Sequence, residues 1–251
     1  MMGALLSLSH VSKDFGGLRA LDDVTVSLRE GEVIGLIGPN GAGKTTLVNV
    51  ITGVEKPSAG EIRFAGDRID ELRPDLVARR GVARTFQIVQ PFPRMTVREN
   101  VAAAALFAGG APSRADARAI ADQQLAFSGL GREADKLASS LTLAGRKRLE
   151  FAKSLAAQPK LLLLDEVNAG LNAAEIDDAL RLIAEIAASG ITVLLIEHLM
   201  KVVSQSCRRL LVLHHGRLVA DGETTAVMKD PRVVEAYLGQ RYAERQRELA
   251  K

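Results

Sequence analysis

Apolar positions along the chain follow distinct periods, and each period predicts a different kind of element. "LLSLSHV" and "VTVSL" alternate apolar with polar, so that Val24, Val26 and Leu28 fall on one face. "GEIRF" does the same with Ile62 and Phe64. Successive side chains of a strand point to opposite faces, so these segments predict half-buried antiparallel strands. "EVIGLIG", "KLLLLDE" and "ITVLLIE" are instead short, unbroken apolar runs. Such runs suit parallel strands covered on both faces. Helical spacing fills the gaps, most clearly in "AEIDDALRLIAEIAASG", where Gly190 supplies a C′ stop. Alternating strands and helices predict βαβ units around a mostly parallel sheet.

Residues 95–158 break that rhythm. "TVRENVAAAALFA", "SRADARAIADQQLAFSGL" and "RKRLEFAKSLAA" carry helical spacing with no convincing strand among them. They predict a helical subdomain inserted into a single domain that spans residues 1–251. Ser113, with Asp116 three residues on, is a capping-box-like start for the middle helix. "RLLVLHHGRLVADG" predicts a hairpin turning at "HHGR". "DPRVVEAYLG" predicts a final helix with Pro231 early, where its missing N–H costs nothing. "LMKVVSQSCRRL" reads as a helix that contains Cys207, and "RYAERQRELAK" as a solvated helix or frayed end.

Composition narrows the class without naming a function. A chain of 251 residues, 47% hydrophobic and 25% charged, can bury one sizeable α/β core. Lysines and arginines are interleaved with acids and the formal net charge is only +3, which argues against a nucleic-acid surface. A single cysteine excludes a disulfide framework and a cysteine-based metal site. No apolar run approaches the ~18–20 residues that span a bilayer. The start "MMGALLSLSHVSKDF" lacks the features of a secretory leader. The expectation is a soluble, cytosolic protein, with peripheral attachment to a membrane protein left open.

"GPNGAGKT" fits the pattern G-x-x-x-x-G-K-[ST] with Gly38, Gly43, Lys44 and Thr45. It follows a strand-like run and precedes the helical "TTLVNVITG", the setting that a phosphate-binding loop requires. Gly38, Gly41 and Gly43, with Asn40 in the same loop, let the backbone curl into a nest of N–H groups aimed at phosphate oxygens. The helix N-terminus adds partial positive charge. Lys44 is expected to reach the β- and γ-phosphates, Thr45 to bind Mg²⁺, and Thr46 to lie near the α-phosphate. "LLLLDE" puts Asp165 and Glu166 at the end of an apolar strand, the edge at which α/β sheets bind ligands. Asp165 is suited to hold Mg²⁺, and Glu166 to orient the attacking water and accept its proton. His198, closing "TVLLIEH", stands where a group touching the γ-phosphate is wanted. Gln87, in "RTFQ", is either a sensor of Mg²⁺ and the γ-phosphate or a polar strand cap. Phe15, in "SKDFGG", is either a stacking face for adenine or a core aromatic.

Taken in order, Phe15, "GPNGAGKTT", Gln87, "LTLAGRKRLE", "LLLLDE", "AGLN" and "IEH" resemble the motif series of an ABC-transporter nucleotide-binding subunit over nearly the whole chain. Within that family "RTFQ", "RKRLE", "AGLN", "LLIEH", "VLHHGRLVADG" and "PRVVEAYLG" are most similar to the branched-chain amino-acid uptake ATPases. The resemblance implies a P-loop NTPase (RecA-like) α/β core with an antiparallel β-subdomain and an inserted helical subdomain. It implies two ATPase subunits sandwiching ATP and Mg²⁺, each nucleotide held by one chain's phosphate loop and the other chain's signature segment. It also implies docking on transmembrane permease subunits near Gln87 and the helical insertion, at the inner face of the plasma membrane. The second subunit is either another copy or a different ATPase chain, and the branched-chain resemblance favours the latter.

The signature segment departs from the family's L-S-G-G-Q. With "RKRLE" fixing the register, Leu141 takes the leucine position, Thr142 the serine, Leu143 and Ala144 the glycines, and Gly145 the glutamine. Thr142 keeps a hydroxyl for the γ-phosphate, and Gly145 with the following helix start offers N–H groups. A Cβ at Ala144 is the obstacle to close backbone approach. The expectation is a variant grip that still works. Asn172 replaces an aspartate in "AGLN", and Val167 the proline that commonly follows the catalytic acid. Competing readings are a soluble ABC-type ATPase unconnected with transport, and a regulatory subunit with impaired hydrolysis. The first usually carries tandem cassettes or basic arms, and the second does not need Glu166, Gln87 and His198 together.

Overall fold

The computed structural model describes residues 4–85 and 91–238. Its Cα positions gather into two compact units, Met1–Leu72 with Leu194–Lys251, and Arg73–Val193. The first unit begins with β1 (Ala4–Phe15) and β2 (Leu18–Arg29), an antiparallel pair in which Leu6 faces Leu28, Leu8 faces Val26 and Val11 faces Val24. All six side chains are buried, as the alternation predicts. The step from Leu8 to Val11 is one residue too long for strict alternation, and the ladder shifts register there. His10 takes the strain with φ 53, so the bulge returns Val11 to the core face. β3 (Val33–Ile37) and α1 (Lys44–Ile51) follow. β4 (Ala59–Phe64) then pairs with the free edge of β1 through Leu6–Phe64 and Leu8–Ile62, and β5 (Asp67–Arg68) closes a sheet of order β2-β1-β4-β5.

The second unit opens with α2 (Pro74–Arg79) and β6 (Val82–Arg84). Three helices follow, α3 (Val97–Phe107), α4 (Arg114–Phe127) and α5 (Leu143–Ala156). Among the described residues between 91 and 158, the single bridge Thr96–Leu137 is the only strand-type pairing. The three helices share a core that includes Val97, Val101, Ala105, Ala121, Leu125 and Leu149. The alanines in it let the helix axes approach closely. Ser113 caps α4 by accepting the Asp116 N–H at 3.1 Å, as expected. α3 has a full capping box that the sequence reading passed over: Thr96 Oγ1 accepts the Glu99 N–H at 3.1 Å, and Glu99 Oε2 accepts the Thr96 N–H at 2.7 Å.

β7 (Leu161–Asp165) is buried at every residue and runs parallel to β6, with Val82 beside Leu161 and Arg84 beside Leu163. α6 (Ala173–Ala188) ends at Ser189, and Gly190 at φ 90 is the C′ stop that the sequence predicts. β8 (Thr192–Ile196) is also wholly buried, and the division between the units falls within it.

Back in the first unit, α7 (Met200–Ser206) leads to β9 (Arg209–His214) and β10 (Arg217–Glu223). β9 runs parallel to β3, pairing Gly35 with Leu210 and Ile37 with Val212. Its hairpin with β10 turns through His215 at φ 46 and Gly216 at φ 76, the left-handed pair that a tight two-residue hairpin needs. Cys207 lies one residue past the end of α7 in extended backbone, not inside the helix as the sequence suggested. It is buried, and burial pushes its thiol up to about 12, so it is unreactive. α8 (Thr224–Val227) and α9 (Pro231–Leu238) complete the described chain, with Pro231 first in its helix as predicted. Among the described residues no helix is long and apolar enough to cross a membrane. Gln87 and the segment "RYAERQRELAK" lie outside the described residues.

Candidate functional site

In the first unit, the chain leaves β3 at Ile37 and enters α1 at Lys44 through the glycine-rich loop. Two contacts explain why glycine stands where it does. A Cβ on Gly38 would collide with the Leu213 carbonyl oxygen of β9. Gly43 holds φ 103, and a Cβ there would sit 2.6 Å from the Ala20 carbonyl oxygen. The loop is thus pressed from behind by β9 and β2, and the hairpin turn fastens it: the Gly216 N–H donates to the Ala42 carbonyl at 2.9 Å. Asn40 and Gly41 are exposed at the loop's outer side.

The loop fits an anion by its donors. α1 starts with no side-chain cap and no acidic residue in its first turn, the setting in which a helix N-terminus takes an anion. Lys44 Nζ folds back onto the loop's own carbonyls, donating to Gly38 at 2.6 Å and Pro39 at 3.0 Å. Thr45, exposed, and Thr46, half-buried, stand in the same first turn.

Phe15 ends β1 with 44% of its surface exposed, which excludes the core reading. The Lys13 ammonium sits 4.7 Å from the ring centroid and also pairs with Glu55 at 2.9 Å. His198 is exposed two residues beyond β8, and its backbone N–H donates to the buried Glu197 carboxylate at 3.3 Å.

In the second unit, Asp165 is the last residue of β7 and Glu166 the first beyond it. The Asp165 N–H donates to Thr85 Oγ1 at 3.1 Å, and its carboxylate meets the Arg84 guanidinium at 3.0 Å with both side chains nearly buried. The sequence reading missed Arg84. Its only signal was a basic residue at the end of a strand that pairs with the one ending in two acids. The Asp165 carboxylate in this unit and the Thr45 hydroxyl in the first are each of the hard oxygen donor type that Mg²⁺ takes. Glu166 adopts φ 48, a left-handed conformation rare for a non-glycine residue.

The signature segment forms the start of α5. Thr142 is its N-cap, with Oγ1 accepting the Gly145 N–H at 3.1 Å. The helix therefore begins at Leu143, upstream of "RKRLE", and the Gly145 N–H offered by the sequence is committed to the cap. The Thr142 hydroxyl proton is still able to donate. Ala144 is half-buried and lines a cavity of about 30 Å³ with Lys147, Val167 and Leu171. Leu143 is 48% exposed, and its Cδ2 would lie 3.1 Å from a Cβ built on Gly170 of "AGLN". Asn172 has a task of its own: it caps α6, its Oδ1 accepting the Glu175 N–H at 3.0 Å while Glu175 accepts the Asn172 N–H at 2.9 Å.

Comparison with known proteins follows the same line. The family model described as ABC transporter matches residues 21–169. The high-affinity branched-chain amino acid transport ATP-binding protein LivG of Escherichia coli is 40% identical, over 96% of this chain and 100% of its own length. A nucleotide-free ATP-binding cassette from an ABC transporter superposes with a TM-score of 0.86 at 32% identity, covering 95% of this chain and 100% of that one. A dimeric bacterial ABC transporter cassette gives 0.78 at 26% identity, covering 87% and 98%.

Proposed function

The chain belongs to the ABC transporter ATPase family, and from that premise we propose that it is the ATP-hydrolysing subunit of an importer that takes up a small solute, branched-chain amino acids or close relatives. The observation that carries the reading is the phosphate loop, where Gly38 and Gly43 are required sterically and the helix start carries no side-chain cap. The name of the LivG relative supports the cargo.

The loop N–H groups and the α1 start hold the ATP phosphates. Lys44 exchanges the Gly38 and Pro39 carbonyls for β- and γ-phosphate oxygens. Thr45 and Asp165, with Gln87, hold Mg²⁺, which when bound neutralises charge on the β- and γ-phosphates. Phe15 offers adenine the ring face opposite the Lys13 ammonium. Glu166 orients the attacking water and takes its proton as the water oxygen bonds to the γ-phosphorus and the ADP oxygen leaves. His198 steadies the same water and the γ-phosphate. Thr142 and the start of α5 close over the nucleotide of a second ATPase subunit, a copy or a different chain. The helical subdomain at 95–158 and the Gln87 region meet the permease subunits on the cytoplasmic side of the membrane.

Two variants test the assignment. Lys44→Ala is expected to abolish tight ATP binding, and unchanged affinity in a titration would refute the phosphate loop. Glu166→Gln is expected to slow turnover by about 10²–10⁴-fold while ATP still binds, and near-normal turnover would remove Glu166 from its role.

A further inference from the structure

We propose that Lys147 is a positioning residue for Glu166, and that through it the helix carrying the signature segment holds the catalytic loop of the same chain. This rests on the reading of Glu166 as the acceptor of the water proton.

The starting point is the backbone of Glu166, at φ 48. A left-handed conformation at a non-glycine residue persists only where the surroundings hold it. Upstream the hold is clear: the Asp165 N–H is bonded to Thr85 Oγ1 at 3.1 Å, and β7 is laddered to β6. Downstream, the first carbonyl after Glu166 is that of Val167. It accepts a hydrogen bond from Lys147 Nζ at 2.7 Å. Lys147 is only 7% exposed, so its ammonium has been carried inside to reach that oxygen. Burying an ammonium is unfavourable unless it is well bonded, and an apolar side chain would fill the same space more easily. The Val167 carbonyl is one partner that compensates the buried charge.

Further along the loop the Ala169 N–H donates to the Glu166 carbonyl at 3.1 Å and the Leu171 N–H to the Asn168 carbonyl at 3.2 Å. A cavity of about 30 Å³ lies among Ala144, Lys147, Val167 and Leu171, beside this bond. On the same helix Leu143 lies over Gly170, its Cδ2 3.1 Å from where a Cβ there would stand. Lys147 and Leu143 both belong to the first turns of α5, whose N-cap is Thr142. A shift of that helix start moves the Val167 carbonyl, and with it the residue that precedes it.

The test uses the full chain and compares Lys147→Met, Lys147→Gln and Lys147→Arg with Glu166→Gln, reading Mg-ATP turnover, ATP affinity and melting temperature. Lys147→Met is expected to lower kcat about 10²-fold, the scale for a misplaced reacting group, with ATP affinity within about two-fold of the parent. Lys147→Arg and Lys147→Gln, which keep a donor, should recover most of that loss. Unchanged kcat in Lys147→Met overturns the proposal, as does a loss of ATP affinity equal to the loss of turnover. If Lys147→Met does not fold, the Arg and Gln variants decide: kcat near the parent supports the clamp, and kcat as low as that of Glu166→Gln overturns it. Glu166→Gln separates the two readings. Parental turnover there refutes the base itself, whereas an inactive Glu166→Gln beside a fully active Lys147→Met refutes only the clamp.

Discussion

At single residues, the phosphate loop shows how little freedom the sequence has. Gly43 combines φ 103 with a backbone oxygen 2.6 Å from where a Cβ would be. Gly43→Ala should therefore destabilise the chain by about 1–3 kcal/mol, the scale of one strained backbone position, and should remove ATP binding as well. A melting curve and a nucleotide titration check the two parts separately. Gly41, which has open space around its Cβ position, is the contrast: its φ of 77 is costly for alanine, but no neighbour would be displaced. The glycine pattern and its lysine were legible because a nest of N–H groups demands small residues at fixed spacing. Arg84 was not legible, because its partner Asp165 stands on another strand and only the parallel pairing brings them together.

Elements were legible where one period ran unbroken. β7 and β8 are buried throughout, and nothing in their surroundings competes with the apolar run. Short or re-phased elements were not. β5 has two residues, too few for any period, and the bulge at His10 replaces alternation with a backbone turn. The start of α5 was read too late because Thr142 was considered for its chemistry, while its hydroxyl also caps the helix. That dual use gives a prediction. Thr142→Ala should cost about 1 kcal/mol through the lost cap, measured as a lower urea midpoint. Asn172→Ala should cost a similar amount at α6, whereas Asn172→Asp should be nearly neutral, since Asn and Asp cap about equally well. The family's usual aspartate and this chain's asparagine are thus equivalent to the helix, whatever they do across a dimer.

For the whole molecule the question is whether the altered signature closes a nucleotide sandwich. Thr142 keeps a hydroxyl, and half-buried Ala144 lines a cavity within its own unit. Light scattering on Glu166→Gln with and without Mg-ATP measures this directly. An ATP-dependent doubling of mass is the expected result for a chain that pairs with itself. A monomer that binds ATP would assign closure to a different ATPase chain or to the permease. The relatives made the family plain, as the motif order had suggested, but Gln87 lies outside the described residues and its part in coupling stands on the resemblance alone.

The bond from Gly216 to Ala42 also sets a timetable for synthesis. The phosphate loop is made early, yet its backing, β9 and the turn at His215–Gly216, is among the last folded parts to leave the ribosome. β3 likewise pairs with β9, a partner most of a chain length away. Contacts so distant in sequence form slowly, and none of them exists before the turn has been synthesised. Until then the loop lacks the backing of β9, and ATP has only part of its site to bind. A ribosome stalled before residue 209 would display the whole glycine-rich motif and still retain no nucleotide.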